Sequence, residues 1–386
     1  GALTFVAWLL AAGEPQQAIA SAVTVLVIAC PHALGLAIPL VTVNATAMSA
    51  ANGILVRDRE AFERARDIGI VAFDKTGTLT EGRFGVASVH AEGVGAREAL
   101  ALAAALETRS EHPLARAVVE EASARGLDLP RAEAFEVVAG MGVRGRVEGV
   151  TYGVGRPEWA QEQGLGFPEG LRRALAAAEG RGESAVVLVD EERVLALVGL
   201  ADRVRPSAAA TVRALRAAGV EPVMITGDAE AVAATVAAEL GIERYHARVL
   251  PGDKAARVRE LKRSAPTAFV GDGINDAPAL LEADLGIAIG AGTNVAIESA
   301  DLVLVENDPA DVLRALRLSR ATYRKMLQNL AWATGYNAVA IPLAAGVLAW
   351  TGFVLSPAAG AVLMSLSTVV VALNAVALRR TDLDAG

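Results

Sequence analysis

The chain of 386 residues has a single cysteine, 4% aromatic residues, and two long stretches with no Asp, Glu, Lys or Arg at all. One thiol, Cys30, excludes an intrachain disulfide. A formal net charge of −8 offers no basic surface for nucleic acid. The charge-free stretches run from Pro15 to Val56 and from Met326 to Leu378, whereas 75 of the 80 charged residues fall between Arg57 and Lys325. Hydrophobic residues make up 53% of the chain, so apolar and charged residues are segregated rather than mixed. That is the pattern of membrane helices flanking a large water-soluble insertion.

A membrane-spanning helix takes about 20 apolar residues. The second charge-free stretch is long enough for two passes with a turn near Trp350, Thr351 and Gly352, and the first holds one pass, roughly from Ile19 to Val43. Gly1 to Ala12 is apolar but short, and Gly13-Glu14-Pro15 separates it from the next segment, so it is expected to be the end of a truncated helix. It lacks the basic n-region of a signal peptide. Arg57, Arg59 and Arg64 follow the first stretch, Arg324 and Lys325 precede the second, and Arg379 and Arg380 close it. Positive residues stay on the cytoplasmic side, so an integral membrane protein with a cytoplasmic insertion is expected.

Within the insertion, short β-branched runs end in acidic or small polar residues: Ile70 to Asp74, Pro222 to Thr226, Thr267 to Asp272, Leu285 to Ile289 and Leu302 to Val305. Amphipathic, Ala-rich stretches such as Ser207 to Ala218 and Glu230 to Leu240 separate the later ones. This alternation predicts a doubly wound parallel sheet with its ligand site at the carboxyl ends of the strands. Residues from about Gly82 to Leu200 interrupt it with their own helices and hairpin-like runs, which predicts an inserted α+β domain.

The first of these strands ends in Asp74-Lys75-Thr76-Gly77-Thr78-Leu79-Thr80. A carboxylate at a strand end, followed by a Gly-containing turn rich in hydroxyls, suits a nucleophile that takes a phosphoryl group while backbone amides hold its oxygens. A lone Asp-x-Thr is more often a helix cap, but here two further strands end in Thr226-Gly227-Asp228 and in Gly271-Asp272-Gly273-Ile274-Asn275-Asp276-Ala277-Pro278, with Lys254 between them. Brought to one sheet edge, these supply a nucleophile (Asp74), a hydroxyl donor (Thr226), a neutralising cation (Lys254) and carboxylates for Mg2+ (Asp272, with Asp276 near by). Thr76, two positions after the nucleophile, cannot act as a general base, so an aspartyl-phosphate there would persist.

DKTGTLT, TGD and GDGINDAP, in this order, resemble the HAD-like phosphorylation domain of the P-type ATPases. The resemblance implies ATP as substrate, catalytic roles for Asp74, Lys75, Thr76, Thr226, Gly227, Asp228, Lys254, Asn275 and Asp276, and Mg2+ held by Asp74, Thr76 and Asp272. Asp202 and Arg205 resemble the family's interdomain hinge, though a plain surface-charge pair fits them equally. Ser110-Glu111-His112-Pro113-Leu114 resembles the nucleotide-domain signature of the heavy-metal (type IB) branch, where the His packs on adenine. Glu107, Glu111, Gly140, Gly142 and Gly155 fall where that branch has its other nucleotide contacts. Arg156 departs from the Asn that often follows the last of these glycines.

Cys30-Pro31-His32 lies inside a charge-free segment, where polar groups are costly and mark function by default. On a regular helix residues two apart point about 200° apart. Pro31 removes a helical hydrogen bond, which would let Cys30 and His32 share a cavity. Thiolate, imidazole and thioether groups select soft or borderline ions, copper above all, and Tyr336, Asn337, Met364 and Ser365 are candidate partners. The motif resembles that of copper pumps carrying His in place of a second Cys, and it leaves Cu+, Ag+ and Cu2+ open. Zinc exporters of the branch use a membrane Asp and Lys, and the chain has neither between Met326 and Leu378.

The expected organisation is therefore a truncated helix and the Cys-Pro-His transmembrane helix in 1–56, a phosphorylation domain in 57–81 and 201–325, a nucleotide-binding domain in 82–200, two transmembrane helices in 326–380, and a tail in 381–386. The family's actuator domain carries a Thr-Gly-Glu loop that does not occur here, so the resemblance implies the carboxyl-terminal part of a longer, bacterial plasma-membrane pump. A copper chaperone or an amino-terminal metal-binding module is an expected partner. The competing readings are a membrane-anchored phosphatase of the same fold, a non-enzymatic metal receptor that uses ATP only as a structural ligand, and a pump for another heavy metal.

Overall fold

The computed structural model describes every residue except Gly13, Pro31, Glu111, 139–140, 291–293 and 384–386, and leaves out the side chains of Ala12 and Ile274. Two compact units emerge: Gly1–Ile68 with Asp301–Glu306 and Asp311–Gly386, and Gly69–Ala300 with Asn307–Ala310. Residues 57–68 and 311–325, charged in sequence, belong to the first.

The first unit is helical. By length and composition, two runs among the described residues suffice to cross a membrane, Pro15–Ala51 and Pro357–Arg380, with mean hydropathies of 2.1 and 2.2. Pro15–Ala51 is helical in three pieces, Pro15–Ile28, His32–Ala37 and Pro39–Ala51; Pro39 opens the third, where its missing N–H costs nothing. The other pass expected after Met326 is the charge-free half of the 36-residue helix Ala310–Ala345. Gln328, Asn329 and Asn337 dilute its hydropathy, so composition alone does not mark it as a span. The helices meet in layers: Val25 and Ile28 pack with Ala340, Ala344 and Tyr336, Ala33 and Ala37 with Ala333 and Val371, and Val41 and Ala45 with Met326, Ala375 and Leu378. Small residues at these crossings let the backbones approach closely. Ile54–Val56 pairs antiparallel with Leu302–Leu304 in the same unit.

The second unit holds two sheets. Strands Leu285–Ile289, Thr267–Gly271, Ile70–Asp74, Glu221–Ile225 and Arg244–His246 lie side by side in that order, all parallel. The first four are almost wholly buried, as befits parallel strands covered by helices on both faces. Their register sets Asp74 beside Ile225 and Phe73 beside Val270, so Asp74, Thr226 and Asp272 leave the sheet at one edge. The inserted sheet is antiparallel, in the order Thr80–Ala91, Val194–Val204, Ser184–Val189, Val150–Gly155, Gly142–Val147, Ala132–Val138. Helices Ala96–Glu107 and Pro113–Ala124 pack on one face, and Pro157–Glu162 and Glu169–Gly180 on the other.

Candidate active site

Asp74 ends its strand and is 6% exposed. Lys254, at the start of helix Lys254–Lys262, donates from Nζ to Asp74 Oδ1 at 2.6 Å and to Asp276 Oδ1 at 2.7 Å. Asp276 also accepts from the Gly273 amide at 3.0 Å, which closes the turn after Asp272. Burial, reinforced by the Asp276 and Asp272 carboxylates and opposed by Lys254, pushes the Asp74 carboxyl up to about 7. Asp272 is raised by burial and by Asp276. For Lys254, burial pulls the pKa down, but Asp74 and Asp276 outweigh it and leave it raised. Carboxylate oxygens of Asp74, Asp272 and Asp276 lie within 4.8 Å of one another. An all-oxygen donor set of this kind fits Mg2+.

The loop after Asp74 is held from several directions. Gly77 has φ +74°, a conformation that favours glycine. Lys75 is buried and its Nζ pairs with Asp228 Oδ2 at 2.7 Å, with Asp202 Oδ2 at 3.8 Å. Thr80 Oγ1 donates to Asp202 Oδ2 at 2.5 Å. Arg205 Nε donates to the Thr78 carbonyl at 3.0 Å, and its NH2 to the Gly77 carbonyl at 2.8 Å. The surface-charge reading of Asp202 and Arg205 is thus replaced by a direct hold on the loop that follows Asp74. Thr226 is buried, and its Oγ1 accepts from the Asp228 amide at 3.2 Å. Gly227 lies beneath the Val249 carbonyl, while Thr76 and Asn275 are exposed.

In the inserted domain, Glu107 closes helix Ala96–Glu107 and is 8% exposed; burial pushes it up to about 7, against a hydrogen bond from Ser110. His112 is exposed and caps helix Pro113–Ala124, its Nδ1 accepting from the Leu114 amide at 3.2 Å. Gly142 and Gly155 are cross-strand partners. A Cβ on Gly142 would meet the Val154 carbonyl and the Gly155 Cα, so internal packing already demands glycine there. Glu111 and Gly140 lie outside the described residues.

In the helical unit, Cys30 Sγ lies 2.9 Å from His32 Nδ1. The helix stops at Ile28 and resumes at His32, with the His32 amide donating to the Cys30 carbonyl at 2.9 Å; Pro31, between them, is outside the described residues. Cys30 is half-buried and His32 is exposed, so the described residues do not enclose the pair in a cavity. Tyr336 OH is buried without a hydrogen-bond partner among the described residues, as is Ser367 Oγ. Asn337 and Met364 are half-buried. Ser365 is exposed and donates to the Ala361 carbonyl, so of these two serines it is Ser367 that turns inward.

The family model for haloacid dehalogenase-like hydrolases matches residues 68–284. The chain belongs to that family. Its nearer likeness is to heavy-metal P-type ATPases of the copper-exporting subgroup. The copper-exporting P-type ATPase B of Archaeoglobus fulgidus is 52% identical over 379 residues, covering 98% of this chain and 54% of the relative. The crystal structure of a zinc-transporting PIB-type ATPase matches 98% of this chain and 60% of its own, with TM-score 0.82 and 36% identity. The catalytic domain of a CPx-ATPase described for changes upon nucleotide binding matches 71% of this chain and 98% of its own, with TM-score 0.51 and 27% identity. The chain spans about half the length of the curated relative it matches. The HAD-like fold and the P-type ATPase resemblance read from the motifs are both borne out.

Proposed function

We propose that this chain is the catalytic and ion-binding part of an ATP-driven copper exporter. The observation that carries the reading is the 2.9 Å thiol–imidazole contact of Cys30 and His32 at a helix break in a charge-free stretch, in a chain that also holds the buried Asp74–Lys254–Asp276 cluster. Asp74 Oδ attacks the γ-phosphorus of ATP, a new O–P bond forms, the bond to the β-phosphate oxygen breaks, and ADP leaves. Lys254 neutralises charge beside the transferred group, and Arg205 fixes the carbonyls of the loop that carries it. Bound Mg2+ would be held by Asp74 and Asp272, with Thr76 and Asp276 adjoining, and supplies charge neutralisation for the phosphoryl oxygens. Residues 82–200 bind the nucleotide, with adenine at His112 and Glu107. Without a base at position 76, water reaches the aspartyl-phosphate slowly, which leaves time for the cargo site to change its access.

Copper is favoured over zinc because the donors are a thiol, an imidazole and a thioether, and because no Asp, Glu or Lys lies between Met326 and Leu378. The protein works in the bacterial plasma membrane with its catalytic domains cytoplasmic, a reading that the placement of Arg57, Arg324 and Arg379 supports. The test is acid-stable phosphorylation of the full-length protein from labelled ATP, with Cu+, Ag+, Cu2+ and Zn2+ added separately. Label with copper or silver ions only, absent in Asp74→Asn and Cys30→Ala, is the expected result. Label that ignores metal or survives Cys30→Ala refutes the cargo site, and rapid hydrolysis of small phosphate esters without ATP preference favours a phosphatase.

A further inference from the structure

Three side chains from little more than one turn of helix Ala310–Ala345 close on the segment that leads into the Asp74 strand. Ser319, 2% exposed, donates from Oγ to the Phe62 carbonyl at 2.6 Å. Arg320 Nε donates to the Arg66 carbonyl at 3.2 Å, and its NH2 to the Ile68 carbonyl at 3.4 Å. The Arg66 guanidinium lies over the Tyr323 ring, 3.6 Å from its centroid. The acceptors belong to the end of helix Arg59–Arg64 and to the 3-10 turn Ala65–Asp67 that follows it, where carbonyls have no partner within the helix and a cation is favoured. The three hydrogen bonds join residues 252 to 257 apart in sequence, so they clasp two distant segments of the helical unit.

The place of this clasp along the chain gives it a consequence for catalysis. The chain leaves the helical unit after Ile68 and rejoins it for good at Asp311. Only Gly69 separates Ile68 from strand Ile70–Asp74, which is buried at every residue and paired in parallel on both sides. Slipping such a strand by one residue would reverse all its side chains, so it moves as a body, and a displacement at Asp74 reaches Ile68. From Arg320 the helix runs without a break to Tyr336, about 24 Å at 1.5 Å per residue. Tyr336 packs with Val25 and Ile28, just ahead of Cys30. Coupling between distant sites is carried by rigid elements in contact, and here one helix holds the root of the nucleophile strand at one end and packs beside the cargo donors at the other.

We infer that Arg320 and Tyr323 are positioning residues whose hold on Arg66 and Ile68 makes phosphorylation of Asp74 depend on the ion at Cys30 and His32, an inference that rests on the exporter reading above. In the full-length protein the readout is the ratio of acid-stable label formed with Cu+ to label formed without it. Arg320→Gln should lower that ratio about fivefold, while affinity for a non-hydrolysable ATP analogue stays at the wild-type value because residues 82–200 are untouched. Tyr323→Leu should lower the ratio about twofold, and Tyr323→Phe, which keeps a ring beneath Arg66, should retain it. A clasp that served stability alone would lower label with and without Cu+ in equal proportion and leave the ratio as it was. That result, or wild-type behaviour in both Arg320→Gln and Tyr323→Leu, would overturn the inference while leaving the exporter reading intact. Wild-type label that ignores Cu+ would overturn the exporter reading and this inference with it.

Discussion

A Cβ on Gly77 would fall inside the Asp272 carboxylate. The loop after Asp74 and the turn that carries Asp272 therefore touch through the one residue of that loop without a side chain, and φ +74° at Gly77 makes that residue glycine on backbone grounds too. Gly77→Ala must displace either the loop or Asp272. The expected outcome is loss of phosphoenzyme by at least ~100-fold, since a shift of about 1 Å in a reacting group costs that much. Circular dichroism should remain near wild type because the sheet beneath is untouched. Phosphoenzyme at wild-type level would show that Asp272 does not need its present position.

The buried carboxyl cluster sets a pH dependence whose sign is fixed. Asp74 is raised from 3.8 to about 7, so between those values the native state keeps a proton that the unfolded chain releases. Stability from this group is complete below pH 3.8 and is lost as pH rises through about 7. In chelator, the melting temperature of the chain should therefore fall across that window, and Asp74→Asn should flatten the decline. Added Mg2+ should restore stability most at the alkaline end, where the carboxylates are ionised and the ion binds best. A melting temperature that rises from pH 4 to 7 in chelator, with no difference in Asp74→Asn, would contradict the cluster as described.

Sequence and structure agree best where chemistry is concentrated in short motifs. Asp74, Thr226 and Asp272 each follow a hydrophobic strand, so their convergence was legible from strand ends alone. Arg205 stands out in sequence only through its resemblance to the family's hinge, and its acceptors are not legible, because its guanidinium reaches carbonyls 127 and 128 residues away and nothing in Asp-Arg-Val-Arg announces them. Gly142 and Gly155 were read toward a ligand, whereas their pairing across two antiparallel strands supplies a packing reason that only the register reveals. The helix Ala310–Ala345 crosses the boundary between charged and charge-free sequence without a break, so composition marked a border at Met326 that the backbone ignores.

Glu107 gives a second, separable pH effect in the inserted domain. Burial holds its carboxyl near 7, at the carboxyl end of a helix whose dipole also disfavours negative charge. Protonated, it can donate to a purine; ionised, it places negative charge near a polyphosphate. ATP affinity should fall as pH rises from 6 to 8, and Glu107→Gln should hold the affinity level across that range. Isothermal titration of the chain with a non-hydrolysable ATP analogue measures this. A wild-type affinity that is flat over the range, or a slope retained in Glu107→Gln, removes Glu107 from nucleotide binding.

The helices of the first unit are tied by a polar ladder that the sequence did not display. Lys325 Nζ donates to Asn374 Oδ1 at 2.9 Å, Asn374 Nδ2 to Asn329 Oδ1 at 2.8 Å, and Asn329 Nδ2 to the Ala37 carbonyl at 3.1 Å. The last acceptor is the residue that ends helix His32–Ala37, just before Pro39 opens the next piece. Asn329, 1% exposed, thus satisfies a carbonyl at a helix break in surroundings that offer few other donors. Asn329→Ala removes two bonds and should destabilise the chain in micelles by about 1–2 kcal/mol. Asn374→Ala breaks the ladder at its centre, so the double variant should cost less than the sum of the single changes. Unfolding in mixed micelles of increasing denaturing detergent measures all three. Strict additivity would mean that the asparagines act independently and that the ladder is three separate contacts.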